Sequence, residues 1–250
     1  MDITGTSALV SGAASGLGAA TAAALAARGA AVVGLDLPAS IERATPPPGV
    51  TLVAADVTEE APVRAALDRL GAAPLRIAVS CAGIAPSARV LGRSGPHDLE
   101  LFHAVLKVNL VGTFNVLRLA AEVIARGDAD PRGQRGVIVN TASIAAFEAQ
   151  IGQVAYAASK AGVAGMTVTA ARDLAQVGIR VMTIAPGIVD TPMMAGFTDE
   201  IRAGLSASVP FPKRLAEPAE FARLVTMVVE HDYLNGETIR MDGALRMLPR

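Results

Sequence analysis

The first thirty residues hold a strand, a glycine-rich turn and a helix in direct succession. Residues 7–10 (SALV) are a short apolar run, residues 11–18 (SGAASGLG) follow without a spacer, and an alanine-rich stretch covers 19–28. Alanine is the strongest helix former, so the last stretch is predicted to be a helix that stops at Gly29. In this arrangement the unpaired N–H groups and the dipole of the helix N-terminus favour a bound phosphate.

The glycines of the turn have a regular spacing. Gly12, Gly16 and Gly18 follow the pattern G-x-x-x-G-x-G, which differs by one added residue from the G-x-G-x-x-G fingerprint of dinucleotide-binding folds. Because they lie between a strand and a helix, we predict that they bind a dinucleotide together with Ser15 and Leu17. A tight turn that holds no ligand is the alternative.

Asp36 ends the second apolar run, residues 31–36 (AVVGLD). An acidic side chain in this place accepts hydrogen bonds from the ribose hydroxyls of adenosine and repels a 2′-phosphate. Leu37 follows it, no arginine is near, and Ala14 stands in the glycine turn where a basic residue would favour a phosphate. We therefore predict NAD and not NADP as the cofactor. A helix cap or a turn aspartate is the alternative.

Strand and helix patterns alternate through the rest of the chain. Strands are predicted at 50–54, 75–80, 137–140, 179–184 and 237–242, and helices at 58–70, 99–125, from about 154 and at 218–230. This alternation predicts an α/β protein, a single doubly wound Rossmann domain over 1–250 with helices flanking a central parallel sheet. The irregular segments at about 84–98 and 188–212 lie at the ligand end of such a sheet, so we predict that they bind the substrate.

Composition argues against several classes of function. The net charge is −1 without long charge runs, so no nucleic-acid partner is expected. Cys81 is the only cysteine, which rules out a disulfide within the chain and fits a reducing, cytoplasmic location. No basic-then-apolar leader opens the chain and no uninterrupted apolar stretch has the length of a membrane span, so no membrane partner is expected. No metal site is predicted.

Tyr156 and Lys160 are four residues apart on the helix that begins near 154, so their side chains share one face. Ser143 follows the preceding strand, at the edge of the sheet where ligands bind. The ammonium of Lys160 and a cationic nicotinamide would favour the phenolate of Tyr156, which could then take a proton from an alcohol. Ser143 could hold the same oxygen. By itself the Y-x-x-x-K spacing arises by chance, and ordinary helix positions are the alternative.

Residues after the other strands complete the predicted cofactor site. They are Leu37, Asp56, Val57, Cys81, Ala82, Gly83, Pro186, Gly187, Val189 and Thr191, and Tyr156 and Lys160 are predicted to contact the cofactor as well. Asp56 can meet the adenine amine or cap a helix, and the small residues after the fourth strand allow close approach of a cofactor. Asn109 lies inside the predicted helix 99–125 and should be buried, either as a satisfied core amide or as a support for Lys160.

Taken in order, these motifs resemble the short-chain dehydrogenase/reductase family over essentially the whole chain. The matching features are the glycine turn, Asp56, C81-A-G83, Asn109, Ser143, Y156-A-A-S-K160 and P186-G187. The resemblance implies hydride transfer between a nicotinamide and an alcohol or ketone. It also implies a catalytic set of Asn109, Ser143, Tyr156 and Lys160, with Ser143 and Tyr156 binding the substrate and Asn109 anchoring a water that relays protons to Lys160.

Longer stretches are similar to one branch of that family, the type II 3-hydroxyacyl-CoA dehydrogenases. They include GTFNVLRL at 112–119, AAFE at 145–148, GIRVMTIAPG at 178–187 and LNGETIRMDGALRM at 234–247. This resemblance implies a homotetramer that uses NAD to interconvert a short or branched 3-hydroxyacyl-CoA and the 3-ketoacyl-CoA.

Three alternatives to that function stay open. They are a hydroxysteroid or other secondary-alcohol dehydrogenase, a 3-ketoacyl reductase that uses NADPH, and an NAD-binding scaffold without turnover. Two departures from the pattern are notable. Ser80 stands where the family usually has asparagine, and Val189-Asp190 replaces an aromatic residue and a glycine near the nicotinamide, which bears on the substrate range.

Overall fold

The computed structural model describes residues 1–249. A seven-stranded, fully parallel sheet forms the centre of the domain, in the order β3-β2-β1-β4-β5-β6-β7. The strands are β1 (Ser7–Ser11), β2 (Ala31–Asp36), β3 (Val50–Ala54), β4 (Leu75–Ser80), β5 (Gly136–Thr141), β6 (Ile179–Pro186) and β7 (Thr238–Met241). This confirms the predicted α/β fold class, a doubly wound sheet of Rossmann type.

Helices cover both faces of the sheet. They are α1 (Gly16–Ala27), α3 (Glu60–Leu67), α4 (Leu99–Arg126), α5 (Val154–Ala175), α6 (Asp199–Ser208) and α7 (Pro218–Glu230), with a single turn α2 at Pro38–Ile41. Two short 3₁₀ turns, Ile144–Ala146 and Pro192–Met194, follow β5 and β6, and a two-residue hairpin joins Leu91–Gly92 to Gly95–Pro96. All predicted helices are present, although α1 begins at Gly16, three residues earlier than expected.

The helix predicted at 58–70 is shorter than expected. It begins at Glu60 and ends at Leu67, because the preceding residues form a turn in which the Asp56 carboxylate accepts a hydrogen bond from the Thr58 amide at 2.9 Å. This side-chain bond gives the backbone an alternative to the helix.

The core consists of two apolar layers, one on each side of the sheet. The layer under α3, α4 and α5 contains Leu9, Ala78, Ile138 and Val181, and the layer under α1 and α7 contains Val10, Val79, Val139 and Met182. Alternate residues of each strand therefore enter opposite layers. This explains why the central strands read as continuous apolar runs in the sequence.

The first layer becomes polar at the carboxyl ends of the strands. Ser11, Ser80, Asn140 and Thr183 are register neighbours across β1, β4, β5 and β6. The Ser11 hydroxyl accepts from the Cys81 amide at 3.1 Å, whereas the Ser80 hydroxyl and the Asn140 amide have no partner among the described residues. Ser80, which replaces the asparagine usual in the family, thus places a short side chain beside the buried Asn140 amide without forming a hydrogen bond to it.

Helix α4 is long and apolar enough to cross a membrane by length and composition, which differs from the expectation from sequence. However, 56% of its most apolar 18-residue window is buried inside the protein. Val116, Leu119, Ala120 and Ile124 of this helix are fully buried against the sheet. Its apolar character is accounted for by this packing.

We expect Gly18→Ala to destabilise the fold. A β-carbon at Gly18 would lie 2.1 Å from the Gly12 carbonyl oxygen, so helix α1 or the turn must move. Overpacking of this kind costs about 1–3 kcal/mol of unfolding free energy. Urea denaturation followed by circular dichroism measures this change.

Gly71→Ala is the matched control, because a β-carbon there has nothing within 4 Å. Removing a glycine without strain stabilises by about 0.4–1 kcal/mol through the unfolded chain. Equal unfolding free energies for the two variants would show that helix α1 does not pack on the turn as described.

Candidate active site

The carboxyl end of the sheet has a crevice where the order of the strands reverses. The chain passes outward from β1 to β2 and β3, then returns to β4 on the other side of β1. The connections after β1 and β4 therefore diverge, and such a switch point is where open parallel sheets bind ligands. The turns that follow β5 and β6 reach the same edge.

The glycine turn packs directly on the turn after β4. Gly12 has φ 68°, and a β-carbon there would lie 2.8 Å from the Ala82 amide nitrogen. Gly16 has φ 52° and begins helix α1. Ser15 precedes the helix with no side-chain cap, and the first turn carries no acidic residue, so the first N–H groups of this twelve-residue helix are free to bind a phosphate. The predicted dinucleotide residues fit a pyrophosphate at this point.

Asp36 closes the adenosine side of the crevice. One carboxylate oxygen accepts from the Ala14 amide at 2.9 Å and the other from the Leu37 amide at 2.8 Å. A carboxylate can accept about four hydrogen bonds, so both oxygens keep capacity for ribose hydroxyls. Asp36 therefore also fixes the glycine turn, a role that its position at the end of a strand did not indicate.

Asp56 and Val57 occupy the next strand end. The Asp56 carboxylate is exposed, and one of its oxygens accepts from the Thr58 amide in the turn before helix α3. It does not cap that helix, because Glu59 occupies the cap position. Its second oxygen accepts no hydrogen bond from the described residues. Val57 is buried and lies against Gly112 of helix α4, where a β-carbon would be 2.7 Å from the valine side chain. Contact of either residue with the cofactor stays a prediction.

The small residues after β4 separate the cofactor crevice from the Tyr/Lys helix. A β-carbon at Gly83 would lie 3.1 Å from the Asn109 side-chain oxygen and 3.8 Å from the Lys160 nitrogen. The Cys81 thiol accepts from the Thr141 hydroxyl at 3.6 Å, and burial raises its pKa to about 11. At neutral pH this thiol is protonated and is not a nucleophile.

Asn109 lies in a π-helical turn of α4, Lys107–Gly112, and is fully buried. Its side chain accepts from the Ile84 amide at 2.8 Å and donates to the Ile84 carbonyl at 2.8 Å and the Ser159 hydroxyl at 3.1 Å. It is therefore a satisfied amide that ties the start of the segment 84–98 to helix α5. π-Helical turns are frequent at functional sites. The proton relay implied by the family resemblance stays a prediction.

Ser143, Tyr156 and Lys160 come together at the inner end of the crevice, as predicted. Ser143 caps the 3₁₀ turn Ile144–Ala146, accepting from the Ala145 amide at 3.1 Å, and its side chain interacts with the half-buried Tyr156 phenol. The Lys160 nitrogen lies 5.7 Å from the centre of the Tyr156 ring and donates to the Thr141 carbonyl at 2.8 Å. Nothing in the sequence pattern indicated this backbone acceptor.

Burial governs the protonation of the pair when no nicotinamide supplies the second positive charge on which the predicted phenolate depends. Burial raises the pKa of Tyr156 above its usual value of 10.0, and the interaction with Ser143 opposes this only in part. Burial also lowers the pKa of Lys160 to about 8. Two desolvated groups that face each other both disfavour their charged forms. Without a further positive charge, Tyr156 is a neutral phenol.

The turn after β6 closes the crevice from the other side. A β-carbon at Gly187, which follows Pro186, would lie 2.9 Å from the Asp242 α-carbon. Thr191 lies over the glycine turn, with side-chain carbons 3.4 Å from the β-carbon position of Gly16. Val189 is 7% exposed and bridges Ala216, so it fixes the base of the segment 188–212; its contact with a cofactor stays a prediction.

Sequence reasoning missed an ion network next to Ser143. Glu148 pairs with Arg240 of β7 and with Arg246 after it. The signal was present, since AAFE at 145–148 and IRMDGALRM at 239–247 are among the stretches that resemble the family branch, but their spatial proximity is not visible in the sequence.

Residues 12–245 match a family model of the short-chain dehydrogenase type whose description is enoyl-(acyl carrier protein) reductase. The 3-hydroxyacyl-CoA dehydrogenase type-2 of Bos taurus is 50% identical over 256 residues, covering 99% of this chain and 97% of the relative. The Homo sapiens protein of the same name is 49% identical with the same coverage. The crystal structure of 3-hydroxyacyl-CoA dehydrogenase type-2 from Mycobacterium avium superimposes with a TM-score of 0.91 at 45% identity, covering 98% of both chains.

These matches span nearly the whole chain and agree with the geometry of the crevice. The family's dehydrogenases use NAD(H) or NADP(H) and act on small molecules. The chain belongs to the short-chain dehydrogenase/reductase family of oxidoreductases.

Proposed function

We propose that the protein interconverts a short or branched 3-hydroxyacyl-CoA and the corresponding 3-ketoacyl-CoA with NAD as the hydride acceptor. The observation that carries this proposal is the meeting of Ser143, Tyr156 and Lys160 at the end of a dinucleotide crevice. It is supported by relatives named 3-hydroxyacyl-CoA dehydrogenase type-2 that match over nearly the whole chain.

The chemistry at this site is a proton transfer coupled to a hydride transfer. When bound, the nicotinamide accepts a hydride from the alcohol carbon or returns it to the ketone. Ser143 holds the reacting oxygen, and the Tyr156 phenolate removes the hydroxyl proton during oxidation. In the reverse direction the Tyr156 phenol donates that proton. General acid–base catalysis of this kind contributes about 10²–10⁴-fold.

Lys160 has two tasks in this proposal. Its ammonium lies beside the Tyr156 ring, where it favours the phenolate, and it is held in place by the Thr141 carbonyl. Its nitrogen is also directed toward the crevice beside Gly83, where ribose hydroxyls of a bound dinucleotide would lie. A lysine with a pKa near 8 can pass its proton to Tyr156 and be reprotonated near neutral pH.

The two segments predicted to bind the substrate favour an apolar acyl group; we call 84–98 the first substrate loop and 188–212 the second. Exposed apolar side chains occur on both of them, namely Val90, Leu91, Met193 and Phe197. Helix α6 contains no buried residue, so the segment 188–212 can adjust to different acyl groups. Exposed Val111 and Phe114 on α4 and Val168 on α5 support the proposed homotetramer, and a cytoplasmic location belongs to the same proposal.

We expect the purified protein to oxidise NADH, and to oxidise NADPH at least about tenfold more slowly, when acetoacetyl-CoA is added. Tyr156→Phe should lower turnover by about 10²–10⁴-fold, since it removes the proton donor. Nicotinamide absorbance measures both rates, and NADH fluorescence shows whether the variant still binds the cofactor.

Two outcomes distinguish the alternatives. Tight NADH binding with no turnover of acetoacetyl-CoA would contradict the acyl-CoA proposal and favour steroids or other secondary alcohols. Near-normal turnover by Tyr156→Phe would remove this tyrosine from the mechanism.

We expect Asp36→Asn to weaken the preference for NADH over NADPH. The substitution keeps an acceptor oxygen for the Ala14 or Leu37 amide but removes the charge that repels a 2′-phosphate. A tenfold change in the ratio of kcat/KM values corresponds to about 1.4 kcal/mol. Asp68→Asn makes the same charge change at an exposed position outside the crevice and should leave the ratio unaltered. An unchanged ratio in Asp36→Asn would show that this carboxylate does not select the cofactor.

We expect NAD to lower the pKa of Tyr156. The chain has no tryptophan and only two tyrosines, and Tyr233 is 95% exposed, so Tyr233→Phe leaves Tyr156 as the single phenol. Because burial raises its pKa, the free variant should ionise only above pH 10.0. The positive charge of the oxidised nicotinamide favours the phenolate and should move ionisation to lower pH.

Ultraviolet absorbance of the phenolate, recorded against pH with and without NAD, measures this shift. NADH, whose ring is neutral, is the control and should shift the curve less. Coincident curves with and without NAD would contradict the role assigned to the cofactor charge.

A further inference from the structure

An ion network joins the turn after β5 to the end of the chain. It consists of Glu148, Arg240, Asp242 and Arg246, with side chains that are 27%, 22%, 8% and 61% exposed. The two guanidinium groups balance the two carboxylates. Arg240 and Arg246 both donate to the Leu245 carbonyl as well, at 3.1 and 2.8 Å. The network is therefore a compact, neutral cluster and not an isolated surface pair.

Arg240 is the centre of this network. Its guanidinium binds both oxygens of Glu148, donates to Asp242 at 2.7 Å, and lies over the Phe147 ring with 5.2 Å to the ring centre. A fork-to-fork pairing of guanidinium and carboxylate fixes orientation as well as distance. The hydrogen bonds with Arg240 lower the pKa of Glu148, so the pair is charged at neutral pH.

Glu148 belongs to the same short turn as Ser143. The Ser143 carbonyl accepts from the Ala146 amide at 3.0 Å, and the Ile144 carbonyl accepts from Phe147 at 3.0 Å and from Glu148 at 3.1 Å. This turn is only six residues long, so a displacement at Glu148 is transmitted to Ser143. Arg240 thus holds the end of the turn whose beginning holds the substrate oxygen.

The residues that follow β7 also pack against the turn that contains Ser143. We call 242–249 the C-terminal segment. Its Leu245 is buried with Ile144 and with Val209 of the second substrate loop, and the Pro249 carbonyl accepts from the Ile151 amide at 3.0 Å. The Gly243 carbonyl accepts from the Phe211 amide at 3.3 Å. The segment therefore touches the Ser143 turn and the second substrate loop at once.

The first substrate loop is connected to the same contacts. The Ala88 amide donates to the Gly152 carbonyl at 2.9 Å, and Gly152 directly follows Ile151. Within the C-terminal segment, Ala244 has φ 67°, which is uncommon for a residue with a side chain. Such a conformation persists only where the surroundings hold it, and here Asp242 accepts from the Ala244 amide at 3.0 Å.

We propose that Arg240 is a positioning residue for hydride transfer. Through Glu148 and the C-terminal segment, it sets the place of Ser143 and of the two substrate loops relative to Tyr156. The expected effect on turnover rests on the proposed function. The ordering of the turn 143–148 can be measured independently, without any substrate.

The test compares Arg240→Met with Arg64→Met in the full-length protein, with hydrogen exchange recorded with NAD bound and turnover measured with NADH and acetoacetyl-CoA. Arg64 is a matched control, because it also bridges two carboxylates, Glu60 at 2.7 Å and Glu122 at 2.9 Å, on helices away from Ser143. In Arg240→Met, hydrogen exchange of the 144–151 amides should accelerate. Turnover of acetoacetyl-CoA should fall by about 10–10²-fold, since small misplacements of reacting groups cost this much.

The change should appear mainly in kcat, because the glycine turn is not among the hydrogen-bond partners of Arg240. The KM for NADH should change less than kcat, since among the described residues the only cofactor-side contact of the network is the packing of Asp242 on Gly187. Arg64→Met should keep both values and the exchange protection of 144–151. Glu148→Gln, which keeps the shape of the side chain, serves if Arg240→Met does not fold, and should give the same pattern. Arg240→Lys should recover part of kcat, because it restores the charge without the fork.

The outcomes are separable. Unchanged exchange at 144–151, or wild-type kcat in a folded variant, would overturn the positioning role. A parallel rise in the KM for NADH would indicate general loss of structure and would also overturn it. If the wild-type protein does not reduce acetoacetyl-CoA, the proposed function fails, and the exchange measurement alone decides whether Arg240 orders the Ser143 turn.

Discussion

The close packing of two backbone turns, after β1 and after β4, is the constraint on which the crevice depends. A β-carbon at Gly12 would lie 2.8 Å from the Ala82 amide nitrogen in the turn after β4, and one at Gly18 would lie 2.1 Å from the Gly12 carbonyl oxygen within the first turn itself. Helix α1 can therefore begin directly above the end of β1 with its first N–H groups uncapped. The same glycines that make the turn possible also leave the space into which a dinucleotide phosphate fits.

The end of the crevice that holds Tyr156 and Lys160 lacks a positive charge strong enough to stabilise the Tyr156 phenolate. Burial opposes charge on both Tyr156 and Lys160, and within residues 1–249 the only hydrogen-bond acceptor of the lysine is the neutral Thr141 carbonyl. A cationic nicotinamide bound at such a site would lower the pKa of Tyr156, so that the phenolate is available when the alcohol proton is removed. Cofactor binding is then coupled to ionisation of Tyr156 through desolvation and charge alone, without a conformational change of the protein.

The substrate side is built differently from the cofactor side. The proposed cofactor side rests on buried strands and on glycine contacts. The proposed substrate side is assembled from the segments 84–98 and 188–212, the turn 143–148 and the C-terminal segment, and 188–212 is not wholly irregular because it contains helix α6. Helix α6 contributes no buried residue, and Asp190, which departs from the family pattern, pairs with Arg202 of that helix at 2.7 Å. Differences between relatives in substrate range can thus accumulate in these segments while the sheet and its cofactor crevice stay the same.

The sequence by itself determined the fold class, the glycine turn between β1 and α1 and the placement of Tyr156 and Lys160 on one helix, because these depend on local patterns. Apolar runs of strand length, glycines at fixed spacing and a four-residue separation on a helix each have one structural meaning in context. Helix α3 begins two residues later and ends three residues earlier than predicted, and its late start follows from the hydrogen bond between Asp56 and the Thr58 amide. The tertiary structure alone decided which distant groups meet: Asp36 with the glycine turn, Lys160 with the Thr141 carbonyl, and Arg240 with Glu148. It also decided the direction of the Tyr156 pKa, because desolvation depends on everything that surrounds a group and not on its neighbours in the chain.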